Sequence, residues 1–169
     1  IGEPTYEACY TYKVFGVRSV VSFSEFQPLP NTEEAAKVTG HLADTQELLD
    51  LKFEGVDVGP IVASSYLRET RRGNIDLNCG NVRAKIAEKM ALSIAAVRGA
   101  KELIRRLAPS LVVMVDRGYT PTGEVFDVCV DRDIDVVNWI NAHRSNFLML
   151  KRYNKANRRQ HPVSLSATS

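Results

Sequence analysis

Two short apolar runs, Leu111–Val115, which is continuous, and Val136–Ile140, broken only by Asn138, constrain the fold more than any other feature of the sequence. Runs of this length that lack polar alternation read as strands buried on both faces, which is the habit of parallel sheets. Each is followed by a polar loop, 116–119 and 141–144, and then by sequence that reads as helix. In the first unit Thr120 offers a cap, Pro121 suits the first helical position, and Val125, Phe126, Val128, Cys129 and Val130 form a buried side ending near Asp131. In the second, Ser145 is the cap and the helix runs through Arg159. The pattern predicts two βα units over residues 111–160 and an α/β class built on a parallel sheet flanked by helices. In such sheets ligands gather where the carboxyl ends of strands meet the following loops, so both polar loops fall on the edge where function is expected.

Upstream, the clearest element is a helix over roughly 80–107. Val82, Ile86, Met90, Ile94 and Val97 recur at helical spacing, Leu103, Ile104 and Leu107 extend the stripe, and Lys101, Arg105 and Arg106 suit the negative end of the macrodipole. Asn31, followed by Thr32-Glu33-Glu34, caps an earlier helical stretch with a break near Gly40. Residues 54–60 read as a turn and a short buried strand entering a helix at Pro60, and a short helix passes through Tyr66 and Leu67. Residues 10–26, rich in Tyr, Val and Phe, read as one or two strands bent near Gly16. No functional motif is assigned to residues 1–50.

At 169 residues, with 44% apolar and 25% charged composition, the chain is sized for one globular domain over 1–169. Cys9, Cys79 and Cys129 are odd in number and far apart, which excludes a closed disulfide framework or zinc knuckle and fits a reducing, cytoplasmic compartment. No apolar window approaches the length of a membrane span, and the N-terminus lacks a signal-peptide pattern. The first residue is Ile1 rather than Met, as expected of a piece of something longer. The net charge of +2 hides a segregation. Arg144, Lys151, Arg152, Lys155, Arg158 and Arg159 lie in the last fifth, which holds no Asp or Glu. On a helix these residues would attract phosphate or acidic lipid head groups, including peripheral membrane contact, unless the acidic remainder of the fold neutralises them. With only Tyr153 available for stacking, a nucleic-acid partner is not expected.

Asp116, Arg117 and Tyr119 place a carboxylate, a guanidinium and a phenol within four positions, with Gly118 permitting a tight turn. Such a loop can hold substrate hydroxyls; the plainer reading is local pairing and packing. His143 has the titration range for general base work on a hydroxyl, beside Arg144. His161 has no ligand-spaced neighbours, so no metal is expected. The run Asp131-Arg132-Asp133-Ile134-Asp135 contains two overlapping DxD patterns but lies between a helix and the next strand, so it reads as a solvated turn. Neither a P-loop, a GxGxxG nor a GxSxG is present.

The run from Leu111 through Asp116-Arg117-Gly118-Tyr119 to Glu124 resembles bacterial surface and capsular polysaccharide glycosyltransferases. So do Val137-Asn138-Trp139, His143-Arg144, Leu150-Lys151-Arg152-Tyr153-Asn154, His161-Pro162-Val163-Ser164-Leu165-Ser166 and, upstream, Gly55-Val56-Asp57-Val58-Gly59 and Tyr66-Leu67-Arg68. The similarity spans roughly residues 50–166. It implies the N-terminal, acceptor-side, Rossmann-like domain of a GT-B type enzyme. The donor domain, which would bring the nucleotide-sugar, is absent from this chain, so the chain alone is expected to be inactive. The resemblance further implies a sugar or glycolipid acceptor and no cofactor. Arg117, Gly118, Tyr119 and Arg144 would line the acceptor side, with Lys151, Arg152 and Tyr153 flanking it. His143 or Asp116 would serve the attacking hydroxyl, and Arg144 or Arg152 the departing diphosphate. The alternative is a non-catalytic Rossmann-like module that binds an acidic or phosphorylated ligand, or a protein partner, through its basic C-terminal helix.

Overall fold

The computed structural model describes residues 12–14, 16–141 and 147–160. It is a mixed α/β fold of five α-helices and one three-stranded sheet among those residues. The helices are α1 (Thr32–Thr39), α2 (Thr45–Leu49), α3 (Val58–Thr70), α4 (Gly80–Leu107) and α5 (Thr122–Asp131), and the strands are β1 (Leu111–Met114), β2 (Asp135–Asn141) and β3 (Leu148–Tyr153).

Helix starts follow local chemistry. Asn31 Oδ1 accepts the free N–H groups of Glu33 and Glu34 at 3.0 and 3.1 Å to open α1, and Asp44 accepts from Glu47 N–H at 2.9 Å to open α2. The break near Gly40 falls between them. Two glycines are required by geometry. Gly55, at φ +89°, turns the chain between the bridged residues Phe53 and Val56, and Gly59 lies so close to α2 that a Cβ there would meet Leu48 O at 1.9 Å.

Helix α4 matches the expected span and is the axis of the molecule. Val82, Ile86, Met90, Ile94, Val97 and Ile104 are buried at helical spacing, but so are Ala91, Ala95, Ala96, Gly99 and Ala100. Small residues on the remaining faces let α1, α3 and α5 approach from several sides at once, so the middle of α4 is buried all round. At Gly99, backbone of the preceding segment passes so near that a Cβ would sit 3.0 Å from Gln27 Cα.

The sheet has the order β1-β2-β3. β1 and β2 are parallel, with Leu111 beside Asp135 and Met114 beside Asn138, and α5 is the crossover between them. This is the first expected βα unit. The second unit is corrected: the chain after β2 returns as β3, antiparallel, with Asn141 beside Leu148 and Val136 beside Tyr153, and no helix runs to Arg159. The sheet is therefore mixed rather than wholly parallel. A second correction concerns its faces. Phe126 of α5 packs edge-on against Tyr153 at 5.2 Å and, with Val136, closes one face. On the other, Leu111, Val113, Leu148 and Leu150 stand exposed, Leu150 at 69%. Apolar runs that imply helices on both faces have helices on only one among the described residues.

Residues 10–26 also differ from expectation. Among the described ones no strand forms; a 3-10 turn at Phe23–Glu25 is set by Ser22 N–H donating to Glu25 Oε1 at 2.7 Å. β-Branched composition favours a strand only where a neighbouring strand offers its ladder. No described helix is long and apolar enough to cross a membrane.

Candidate functional site

The β1–α5 loop leaves the carboxyl end of β1 and forms one wall of a cleft of about 480 Å³. Tyr119, Thr120 and Pro121 supply that wall, α3 supplies Ser65, Arg68 and Glu69, α4 supplies Lys89 and Leu92, and the 3-10 turn region adds Phe23, Ser24 and Gln27. The loop is held from within and from α3. Asp116 Oδ1 accepts from Gly118 N–H at 2.9 Å, Thr120 N–H donates to Ser65 Oγ at 3.1 Å, and Tyr119 C=O accepts from Gly123 N–H at 2.7 Å. Arg68 lies 4.4 Å over the Tyr119 ring and 3.7 Å from Asp116 Oδ2. The lining mixes hydroxyls, an amide, aromatic surface and both signs of charge. Glu69 is held below the ordinary carboxylate range, chiefly by its hydrogen bond from Lys89.

Behind this wall lies an acid that solvent does not reach. Glu124, 0% exposed, accepts at Oε1 from Ser93 Oγ of α4 at 2.5 Å and from Thr120 Oγ1 at 2.8 Å. Burial pushes its carboxyl up to about 7 against the lowering effect of those two hydroxyls, and the carboxylate of Asp127 raises it further. The sequence predicts Thr120 as the cap and Pro121 as the first helical residue; the Thr120 hydroxyl goes instead to the Glu124 side chain, and α5 begins one residue later, at Thr122, with Pro121 in the cap position.

The sequence-derived residues divide between several places. Tyr119 lines the cleft; Asp116 does not, and sits half-buried beside it, paired with the lining residue Arg68. Arg117 turns the other way. Its guanidinium donates to the carbonyls of Arg158 and Gln160 at 2.7 and 2.9 Å and lies 4.4 Å over the Tyr153 ring, so it straps the last turn to the core. Gly118 borders a smaller cavity of about 110 Å³ with Arg117, Arg158 and Asp127, and its backbone is not left-handed, so the turn does not require glycine. Lys151, Arg152 and Tyr153 run along β3 from mid-sheet toward the amino end of β2, away from the cleft. Arg152 pairs with Asp135, Tyr153 is fully buried, and Lys151 lies 5.2 Å over the Tyr153 ring. His143, Arg144 and His161 lie outside the described residues. Because β1 and β2 are parallel neighbours, Asn141, which ends β2, lies at the same sheet edge as the start of the β1–α5 loop.

The basic C-terminal residues find acids within the fold. Lys155 pairs with Asp133 at 2.7 Å, Arg159 with Asp57, and Arg158 reaches Asp57, Asp127 and Asp131 at 3.5, 3.1 and 3.1 Å. The turn containing the DxD patterns is thus an ion-paired surface, not merely a solvated one. Among the described residues, no group of three or more His, Cys, Asp or Glu side chains is placed to hold a metal ion.

Sequence reasoning missed Ser65, Glu69, Lys89, Ser93 and Glu124. Their local signals are polar residues at 65, 68 and 69, a helical spacing that shares one face of α3, and an acid that precedes the apolar pair Val125-Phe126 in α5. The chain matches no protein-family model, no curated protein and no solved structure.

Proposed function

We propose that this chain is the acceptor-side domain of a glycosyltransferase of surface or capsular polysaccharide assembly, its β1–α5–β2 unit belonging to a Rossmann-like sheet of a GT-B type enzyme. The observation that carries the reading is the cleft at the carboxyl end of β1. Ser24, Ser65, Thr120 and Gln27 offer neutral hydrogen-bonding groups suited to sugar hydroxyls, Phe23 and Tyr119 offer ring surface for a pyranose, and Arg68 and Lys89 add positive charge. Asp116, which neighbours the cleft through Arg68, and His143 are the two candidate bases for an attacking hydroxyl. The nucleotide-sugar would be brought by a second domain. The resemblance of residues 50–166 supports the sugar chemistry, and the cleft supports the location.

The test is to join the chain to its natural downstream sequence and follow sugar-nucleotide turnover in Asp116→Ala, His143→Ala and Tyr119→Ala. A loss of at least tenfold is expected for Tyr119→Ala and for whichever residue acts as base. Turnover unchanged in all three removes the assignment. The alternative, capture of an acidic ligand by a basic C-terminal helix, has little to rest on. That segment is β3 and a turn, and Arg152, Lys155, Arg158 and Arg159 are paired with aspartates.

A further inference from the structure

Thr120 has two roles at once: the residue lines the cleft, and its hydroxyl turns inward to Glu124. Glu124 Oε1 takes two hydroxyl donors, Ser93 and Thr120, while Oε2 is buried without a partner among the described residues. A glutamine here would satisfy the same two hydroxyls through its carbonyl oxygen without the cost of burying an ionisable group. An acid is needed only if its proton is used. We infer that Glu124 is a positioning residue that sets, through Thr120, whether the cleft offers a ligand hydroxyl an acceptor or a donor. As a carboxylate it draws the Thr120 proton inward and leaves the Thr120 lone pairs for a ligand O–H. As a neutral acid with its proton on Oε1, it donates that proton to the Thr120 oxygen, and the Thr120 O–H is freed to donate into the cleft.

The inference rests on the reading of the cleft as a site for a polyhydroxyl ligand. The charged groups around Glu124 are few. Asp127 on its own helix acts against ionisation; Lys89 of α4 is engaged by Glu69; Arg68 of α3 is engaged by Asp116 and the Tyr119 ring. No cation contacts Glu124 among the described residues, so its proton is exchanged near neutral pH rather than locked off.

Two measurements on the full chain test this. In ¹H–¹⁵N spectra the Thr120 amide should titrate with a midpoint near 7 and cease to do so in Glu124→Gln. On an array of immobilised neutral oligosaccharides, affinity for a bound glycan should change at least threefold between about pH 6 and pH 8, and Glu124→Gln should flatten it. If that variant does not fold, Thr120→Val replaces it, with the same flattening expected. A Thr120 amide that does not titrate, or a glycan affinity already flat in the parent chain, overturns the positioning role. Titration of Thr120 with no glycan bound supports the coupling of Glu124 to the cleft and removes the acceptor-site reading instead.

Discussion

Replacing Arg158 with methionine keeps the aliphatic stem and removes the one guanidinium shared by three carboxylates. The three differ in what they can fall back on. Asp131 is 45% exposed and turns to water; Asp57 keeps Lys52 at 3.2 Å and Arg159; Asp127, at 7%, keeps the backbone N–H of Asp57 at 3.3 Å and the weaker, unbonded charge of Arg117. The cost therefore falls on Asp127, a buried carboxylate that loses its ion-pair partner and keeps only the more weakly acting Arg117, and amounts to about 3 kcal/mol. For a domain of this size that is a fall in Tm of about 6–12 °C. Burial already holds the Asp127 carboxyl above its ordinary value, with Arg158 pulling it down, so the variant raises it further. A raised folded value means that folding takes up a proton, so stability falls as pH rises from the unfolded value of 3.8 through the folded one. The deficit of Arg158→Met should thus be largest near pH 8 and shrink on acidification, and Asp127→Asn in the same chain should recover most of it. Urea unfolding followed by Trp139 fluorescence reads all three. A deficit under about 0.5 kcal/mol near neutral pH, or no recovery in the double variant, refutes the accounting.

Glu124 has a folded value of about 7 against 4.5, so stability from urea unfolding should decline as pH rises through that interval, by up to about 3 kcal/mol, and Glu124→Gln should remove that contribution while leaving the one from Asp127. Gly59→Ala drives a methyl into the Leu48 carbonyl and should cost about 3 kcal/mol or prevent soluble expression, seen by circular dichroism and gel filtration. Leu150→Lys, on the bare face of the sheet, should change stability by no more than about 0.5 kcal/mol, measured by urea unfolding, because its side chain is already in water; a larger loss means the face is covered.

What the sequence made legible was local or periodic. Helix α4 shows its span through a stripe repeated over seven turns, and Asn31 announces α1 by its own side chain. β1 stands out because a continuous apolar run of strand length has few other uses, and β2 because Val136-Val137 and Trp139-Ile140 are interrupted only by Asn138. β3 was hidden because Leu148-Met149-Leu150 followed by Lys151-Arg152 fits a helix as readily as a strand, and the deciding partners, Asp131, Asp133 and Asp135, are about 20 residues away. The cleft was half visible. Tyr119 was found from its place after a strand, whereas Ser65 and Lys89 reach it only through helix packing, and the burial of Glu124 depends on Ser93, 31 residues earlier.

The crowding of α4 has a consequence for how such a sequence tolerates change. A surface helix can absorb substitutions on its wet side, and a two-sided one can rotate slightly to accommodate a new methyl group. Between Met90 and Ala100 only Leu92 and Arg98 are less than fully enclosed, so this stretch has neither freedom. Variation should be scarce in the centre of the rod and common toward both of its tips, and the spacing of Lys89 and Leu92 from Ser93 is fixed by the same packing that holds the molecule together.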